Sequence, residues 1–294
     1  MAISGHALCH STGCVVLCWA TSVDHDPIRH HPCCTSNFKP KGFVAWAWRC
    51  FLKTPFYPLR IFVPVSRKNK LRKFAEVLSF PNVYECYDVQ RPFLVGVGME
   101  NVELKGHWNE KHFKNDFPIT LELACGGGEY TVGMARQFPN RNFIGVDIKG
   151  NRLHAGAKDA LKEGLGNVAF VRTRIEIIDQ FFAENEVNEI WITFCDPFPR
   201  PSKSNRRLTS DYFLEKYRQL LLKGGQIHLK HDDDDLVRFT LGVIESDSRC
   251  VLMEQHLDIY AGMLPMPELG IKTLYEGKHL LAGKTIKYLR YTIS

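Results

Sequence analysis

The sequence predicts a Rossmann-like α/β fold, a mostly parallel sheet with helices on both faces. Three observations carry that prediction. Short apolar runs alternate with amphipathic segments from about residue 117 onward, a glycine-rich turn joins the first run to the first helix, and acids end the second and fourth runs. Strands buried on both faces read as continuous apolar runs, and crossover helices supply the amphipathic segments between them.

The strands are predicted at Ile119–Ala124, Asn142–Asp147, Val168–Arg172, Val187–Cys195 and Gln226–Lys230. Helices are predicted between them at Glu129–Gln137, Gly150–Gly164, Thr209–Leu222 and Asp233–Ser246. Ligands of such sheets bind beyond the carboxyl ends of the strands, which is where Asp147 and Asp196 fall.

The first strand runs into "LELACGGGEY" (121–130). Gly126 and Gly128 suit a turn that needs positive φ and lets a ligand approach the backbone. Asp147 follows Gly128 by 19 residues and is placed to accept hydrogen bonds from ribose hydroxyls. A dinucleotide turn would need a third glycine where Thr131 stands. Glu122, an acid in the first strand, would repel a pyrophosphate and suit a cationic amino-acid group. S-adenosyl-L-methionine carries a ribose, an ammonium and a sulfonium and no phosphate, so it fits this charge pattern better than a dinucleotide.

The fourth strand ends in "CDPFPRPSKSNRRL" (195–208). Asp196 could accept two hydrogen bonds from the N1–H and N2–H₂ edge of a guanine. Pro197 fixes its own φ, so the chain leaves the sheet stiffly. Arg200, Lys203, Arg206 and Arg207 follow on a predicted loop, and cations so grouped read as phosphate contacts. The acid would hold a base and the cations its backbone.

The chain has 294 residues and a formal charge of +6. Residues 1–66 hold six Lys/Arg and two Asp, leaving 32 Lys/Arg against 30 Asp/Glu in the rest. Cationic character in the main body must therefore come from local clusters. One cluster is "RKNKLRK" (67–73), five cations in seven residues, which reads either as a solvated terminal helix or as a mobile segment that binds nucleic acid.

No stretch approaches the roughly 20 apolar residues of a membrane span. Six of the ten cysteines precede residue 67, and the other four are scattered, as expected of buried free thiols in a reducing, cytoplasmic setting. His30, His31, Cys33 and Cys34 lack the paired spacing of a structural zinc module, so no metal is expected. Residues 1–66 show no sustained period and hold three of the five tryptophans. They read either as a disordered extension or as a start-site artefact, with true initiation near Val65. Residues 67–294 form the expected functional domain.

"LELACGGGEY", "NFIGVDIKG", "ITFCDPFPRPSKSNRRLTSDYF", "GGQIHLKHD" and "IKTLYEGK" occur in that order. Together they resemble the bacterial tRNA (guanine-N7)-methyltransferases, over about residues 67–294. The Asp-Pro with its spaced Arg-Arg-Leu is the specific part; the glycine turn alone would only indicate a class I methyltransferase. The resemblance implies a seven-stranded sheet with an antiparallel last strand, near Thr285–Thr292.

It also implies that Glu122, Gly126, Gly128 and Asp147 bind S-adenosyl-L-methionine, and that Arg174, central in "RTRIE" (172–176), belongs to the adenine side. Asp196 would lie between cofactor and guanine as the catalytic residue, with Lys203, Arg206, Asp232, Thr273 and Glu276 binding the substrate. The sequence departs from the family pattern at Ala124, at Lys203, where histidine is frequent, and at His231, where threonine is usual. The expected partner is tRNA, with the protein a monomer or homodimer. Two other readings share the fold: a methyltransferase acting on a small molecule, and a non-catalytic RNA-binding protein.

Overall fold

The computed structural model describes residues 67–294. The expectations for the tryptophan- and cysteine-rich start and for initiation near Val65 lie outside these residues. Four predicted strands recur as β4 (Ile119–Leu123), β5 (Asn142–Asp147), β6 (Val168–Arg172) and β7 (Val187–Thr193), parallel to one another in the order β6-β5-β4-β7. All five residues of β4 are buried, as a central strand covered on both faces requires. The fifth, β8 (Leu221–His231), continues the parallel run beside β7. It is longer than predicted because it begins where the preceding helix was expected to end.

The last strand, β10 (Lys287–Ile293), lies antiparallel to β8, and β9 (Cys250–His256) lies antiparallel to β10 at the edge. The expected seven strands are therefore present, in the order β6-β5-β4-β7-β8-β10-β9. The full sheet has ten. Beyond β6 it is extended by β1 (Val83–Glu85), β2 (Leu94–Val95) and β3 (Asn101–Val102). Two or three residues are too few for a strand pattern to register in sequence; pairing with β6 is what makes β1 a strand.

Helices fill the connections: α1 (Arg67–Val77), α2 (Glu129–Gln137), α3 (Gly150–Glu163), α4 (Asp211–Leu220), α5 (Asp234–Ser246) and α6 (Leu274–Leu281). Alternation along the strands divides the core between the two faces. Ile144, Val146, Ile190 and Ile192 join the cluster that holds Phe213 of α4 and Leu236 of α5. Phe143, Phe170 and Trp191 join Met134 of α2 and Leu153 of α3 on the other side. Among the described residues no helix is long and apolar enough to cross a membrane, and no group of three or more His, Cys, Asp or Glu could hold a metal ion. Cys86, Cys125, Cys195 and Cys250 are free thiols.

Candidate active site

A cavity of about 430 Å³ opens at the carboxyl ends of the central strands, lined by Asp147, Arg174, Asp196 and Arg206 among others. A larger one, about 610 Å³, lies near the opposite, amino-terminal ends of β4 and β7, lined by Asn109, Phe117 and Asn188. The site belongs to the smaller cavity, because open parallel sheets present ligands to their carboxyl ends and the strand-end acids converge there.

The turn between β4 and α2 meets the requirement for glycine. Gly126 has φ +58° and Gly128 +73°. A Cβ on Gly128 would lie 2.6 Å from the Phe170 ring, whereas one on Gly126 would meet nothing within 4 Å. Gly128 is thus needed for packing, and Gly126 leaves open space over the turn. Asp147 ties the turn to β5: Gly126 N–H donates to its Oδ2 at 3.0 Å and Lys149 N–H to its Oδ1 at 2.7 Å. Each oxygen keeps a lone pair for a further donor. Arg174 is exposed at the mouth, with Lys149 and Arg152 on the same rim.

Glu122 sits beneath this surface instead of lining it. It is 1% exposed. Its carboxyl accepts from the backbone N–H of Thr131 at 2.8 Å, from the Thr131 hydroxyl, and from the Thr193 hydroxyl at 2.6 Å. Burial pushes its pKa up to about 7, against the lowering effect of the two threonines. Glu122 therefore clamps three elements, the end of β4, the start of α2 and the end of β7. Neither threonine was legible as a site residue, because their roles follow from the strand order.

Strand β7 stops at Thr193, two residues earlier than predicted, because Phe194 takes φ +47° and turns the chain. Asp196 follows, exposed, and its Oδ1 accepts from Phe198 N–H at 3.0 Å. The expected loop beyond it is a 3₁₀ turn over Pro201–Arg206. Lys203 and Arg206 are exposed on it, and the Arg206 guanidinium lies 5.1 Å from the centre of the Phe198 ring.

Arg207 is a correction. The sequence groups it with the phosphate contacts, whereas the structure buries it, its guanidinium over Phe239 of α5. It donates to the carbonyls of Pro197 (3.0 Å) and Phe198 (3.3 Å), so it holds the turn from inside.

The remaining expected substrate residues are engaged within the protein. Asp232 follows the last residue of β8 and accepts from Lys284 at 2.6 Å, with His279 at 3.2 Å; burial alone would raise its pKa, but these partners hold it low. Thr273 caps α6 by accepting from Glu276 N–H. The Glu276 carboxyl is fully buried against Lys230 and Tyr260. His231 accepts at Nδ1 from Asp233 N–H and donates from Nε2 to the Cys195 carbonyl at 2.9 Å. Burial lowers its pKa, which suits the neutral ring that this pattern needs. Asp233 caps α5, Asp234 pairs with Lys287, and Asp235 pairs with Arg238.

The family model described as "Putative methyltransferase" matches residues 116–289. The tRNA (guanine-N(7)-)-methyltransferase of Bacteroides fragilis is 48% identical over 228 residues, covering 77% of this chain and 86% of the relative. That of Christiangramia forsetii is 49% identical over 231 residues, covering 78% of this chain and 100% of the relative. Among solved structures, an antibiotic-related methyltransferase superposes with a TM-score of 0.49 at 15% identity, covering 66% of this chain and 97% of that one.

Proposed function

The chain belongs to the tRNA (guanine-N7)-methyltransferase family, and from that premise we propose that it transfers a methyl group from S-adenosyl-L-methionine to N7 of a guanine in the variable loop of tRNA. One observation carries the reading: Asp147, tied to the glycine turn, and Asp196, beside exposed Arg206, line the same cavity. A cofactor site and an RNA-facing site thus share one opening.

The residues fit the cofactor. Open space over Gly126 leaves room for a ligand against the backbone, and Asp147 offers lone pairs at the place a ribose would take. Asp147, Glu176 and Asp196 are the acids of the lining that a cationic group would meet, with Lys149, Arg152, Arg174 and Arg206 around them. Gly126, Asp147 and Arg174 would hold the cofactor, with Gly128 and Glu122 fixing the turn from below. When bound, S-adenosyl-L-methionine supplies an electrophilic methyl group on a sulfonium.

Guanine N7 has a free lone pair and no proton, so the chain needs no general base. Its residues act by alignment, which for well-oriented groups is worth about 7–11 kcal/mol. Asp196 accepts from the N1–H and N2–H₂ edge and fixes the base. Guanine gains positive charge as the bond forms, so the carboxylate stabilises the transition state more than the ground state. Arg206 and Lys203 bind phosphates and offset the few kcal/mol that unstacking the base costs. The helical basic segment of α1, with Lys70 and Arg72 exposed, adds to the same attraction.

The test is transfer of labelled methyl from S-adenosyl-L-methionine to bulk tRNA, followed by mapping of the modified base. The reading expects 7-methylguanine in the variable loop. Label on a small molecule, or none, would contradict it.

A further inference from the structure

Phe194 and Phe198 flank Asp196, and both hold positive φ, +47° and +42°. The left-handed region is disfavoured for bulky side chains and persists where the surroundings over-determine it. They do so here. Phe194 N–H donates to the Lys230 carbonyl at 3.1 Å, and His231 holds the Cys195 carbonyl at 2.9 Å. Asp196 takes Phe198 N–H, and Arg207 grips the carbonyls of Pro197 and Phe198. Glycine or asparagine would make this turn without strain, yet two aromatic residues stand there and both line the cavity.

The two rings differ in their neighbours. The Phe194 ring packs within the protein, stacked on His279 at 5.9 Å and tilted to His231. The Phe198 ring faces the guanidinium of Arg206, an exposed side chain. We propose that Phe198 is the stacking platform for the target guanine, and that Arg206 covers its face until tRNA arrives. This rests on the function proposed above.

The geometry favours a base as the occupant. An acid for one edge and an aromatic face two residues later, locked to each other by the Asp196–Phe198 hydrogen bond, together define a plane and an orientation. A planar guanidinium that stacks on an aromatic ring occupies the place a planar base can take. Displaced, Arg206 is free to bind a phosphate, so one residue protects the platform and later anchors the RNA. The chemistry agrees, because methylation at N7 leaves the guanine cationic. An aromatic face attracts a cation, so the platform acts more strongly as the charge develops.

The experiment uses the full chain with Phe198→Ala, Phe198→Leu and Phe198→Tyr. All three keep a Cβ, so none relieves the positive φ as glycine would, and the bulky leucine and tyrosine variants compared with each other report the ring. Single-turnover transfer to saturating tRNA is measured, with cofactor affinity by calorimetry and tRNA affinity by titration. Base–aromatic stacking lost on truncation predicts a roughly ten- to hundredfold slower turnover for Ala and Leu. Tyr should stay within a few-fold of the parent, and both affinities should stay nearly unchanged. A fluorescent guanine analogue that keeps the N1–H and N2–H₂ edge, placed at the target position, adds a direct readout: its emission should be quenched on the parent and rise on Phe198→Ala.

Near-normal turnover in Phe198→Ala or Phe198→Leu would overturn the platform. So would a tyrosine variant as slow as the alanine one, or a loss of cofactor affinity that tracks the lost turnover and assigns the ring to the cofactor. A parent protein that makes no 7-methylguanine overturns the functional reading, and the platform with it; a normal parent with an indifferent Phe198 removes the platform alone.

Discussion

The Lys230 ammonium donates to the Glu276 carboxylate at 2.8 Å, and neither side chain has any solvent exposure. Lys230 also donates to the carbonyls of Leu269 and Ile271, and the other Glu276 oxygen accepts from Tyr260 at 2.6 Å. One buried pair therefore anchors α6 and the segment before it to strand β8. Burial lowers the lysine pKa, and Glu276 opposes that shift.

Glu276→Ala should strand the buried cation, at a cost of about 3–5 kcal/mol. For a domain of this size that lowers Tm by about 10 °C. Glu276→Gln, which keeps an acceptor, should cost less. An unchanged Tm in Glu276→Ala, with turnover lost, would mean that the acid serves the substrate directly.

The central sheet was legible because its signals are local. Strand β5 and helix α2 fall at their predicted bounds, set by an apolar run ending in Asp147 and by Gly128 ahead of the helix. Strand β9 was not legible: Val251, Leu252 and Met253 are consecutive and all exposed, so neither alternation nor a buried run marks the edge. Among the candidate site residues, Asp147 and Asp196 stand out because strand ends are readable. Arg206 and Arg207 look alike in sequence, and what separates them is Phe239, brought over Arg207 by a helix further along the chain. The positive φ of Phe198 has no local signal at all, since phenylalanine is not a residue that left-handed turns select.

Glu122 makes stability depend on pH. Its folded pKa of about 7 lies above the ordinary 4.5, so the folded state binds the extra proton. The resulting stability is full below about pH 4.5 and is lost as pH rises toward 7. Glu122→Gln can satisfy Thr131 and Thr193 without titrating. Urea melts of the cofactor-free protein between pH 5 and 8 should show a falling slope for the parent and a flatter one for Glu122→Gln. Parallel profiles would contradict the raised pKa.

Asp147→Ala should weaken S-adenosyl-L-methionine binding roughly tenfold or more, because hydrogen bonds to charged groups are worth about 1.5–3 kcal/mol. The glycine turn also loses its tie to β5. Calorimetry with unchanged affinity would remove Asp147 from the cofactor site.

Arg206→Ala and Arg207→Ala should differ although the residues are adjacent. The first should weaken tRNA binding and reduce the salt slope by about one unit while cofactor affinity survives. The second should leave the slope nearly unchanged and slow turnover, because the turn bearing Asp196 loses its internal support. Titrations at several salt concentrations separate them, and equal slopes for Arg206→Ala and the parent would make that residue only solvated surface.

The central claim is that the Asp196 carboxylate holds the guanine, and single-turnover methyl transfer by Asp196→Asn at saturating tRNA tests it most directly. The substitution keeps the size of the side chain and can keep the hydrogen bond to Phe198 N–H, but it replaces one anionic acceptor with a donor that opposes the N1–H and N2–H₂ edge. The predicted result is turnover reduced on the order of a hundredfold, as for loss of one well-placed charged partner of a transition state, with tRNA affinity nearly unchanged because phosphate contacts dominate it. Near-normal turnover would contradict the account.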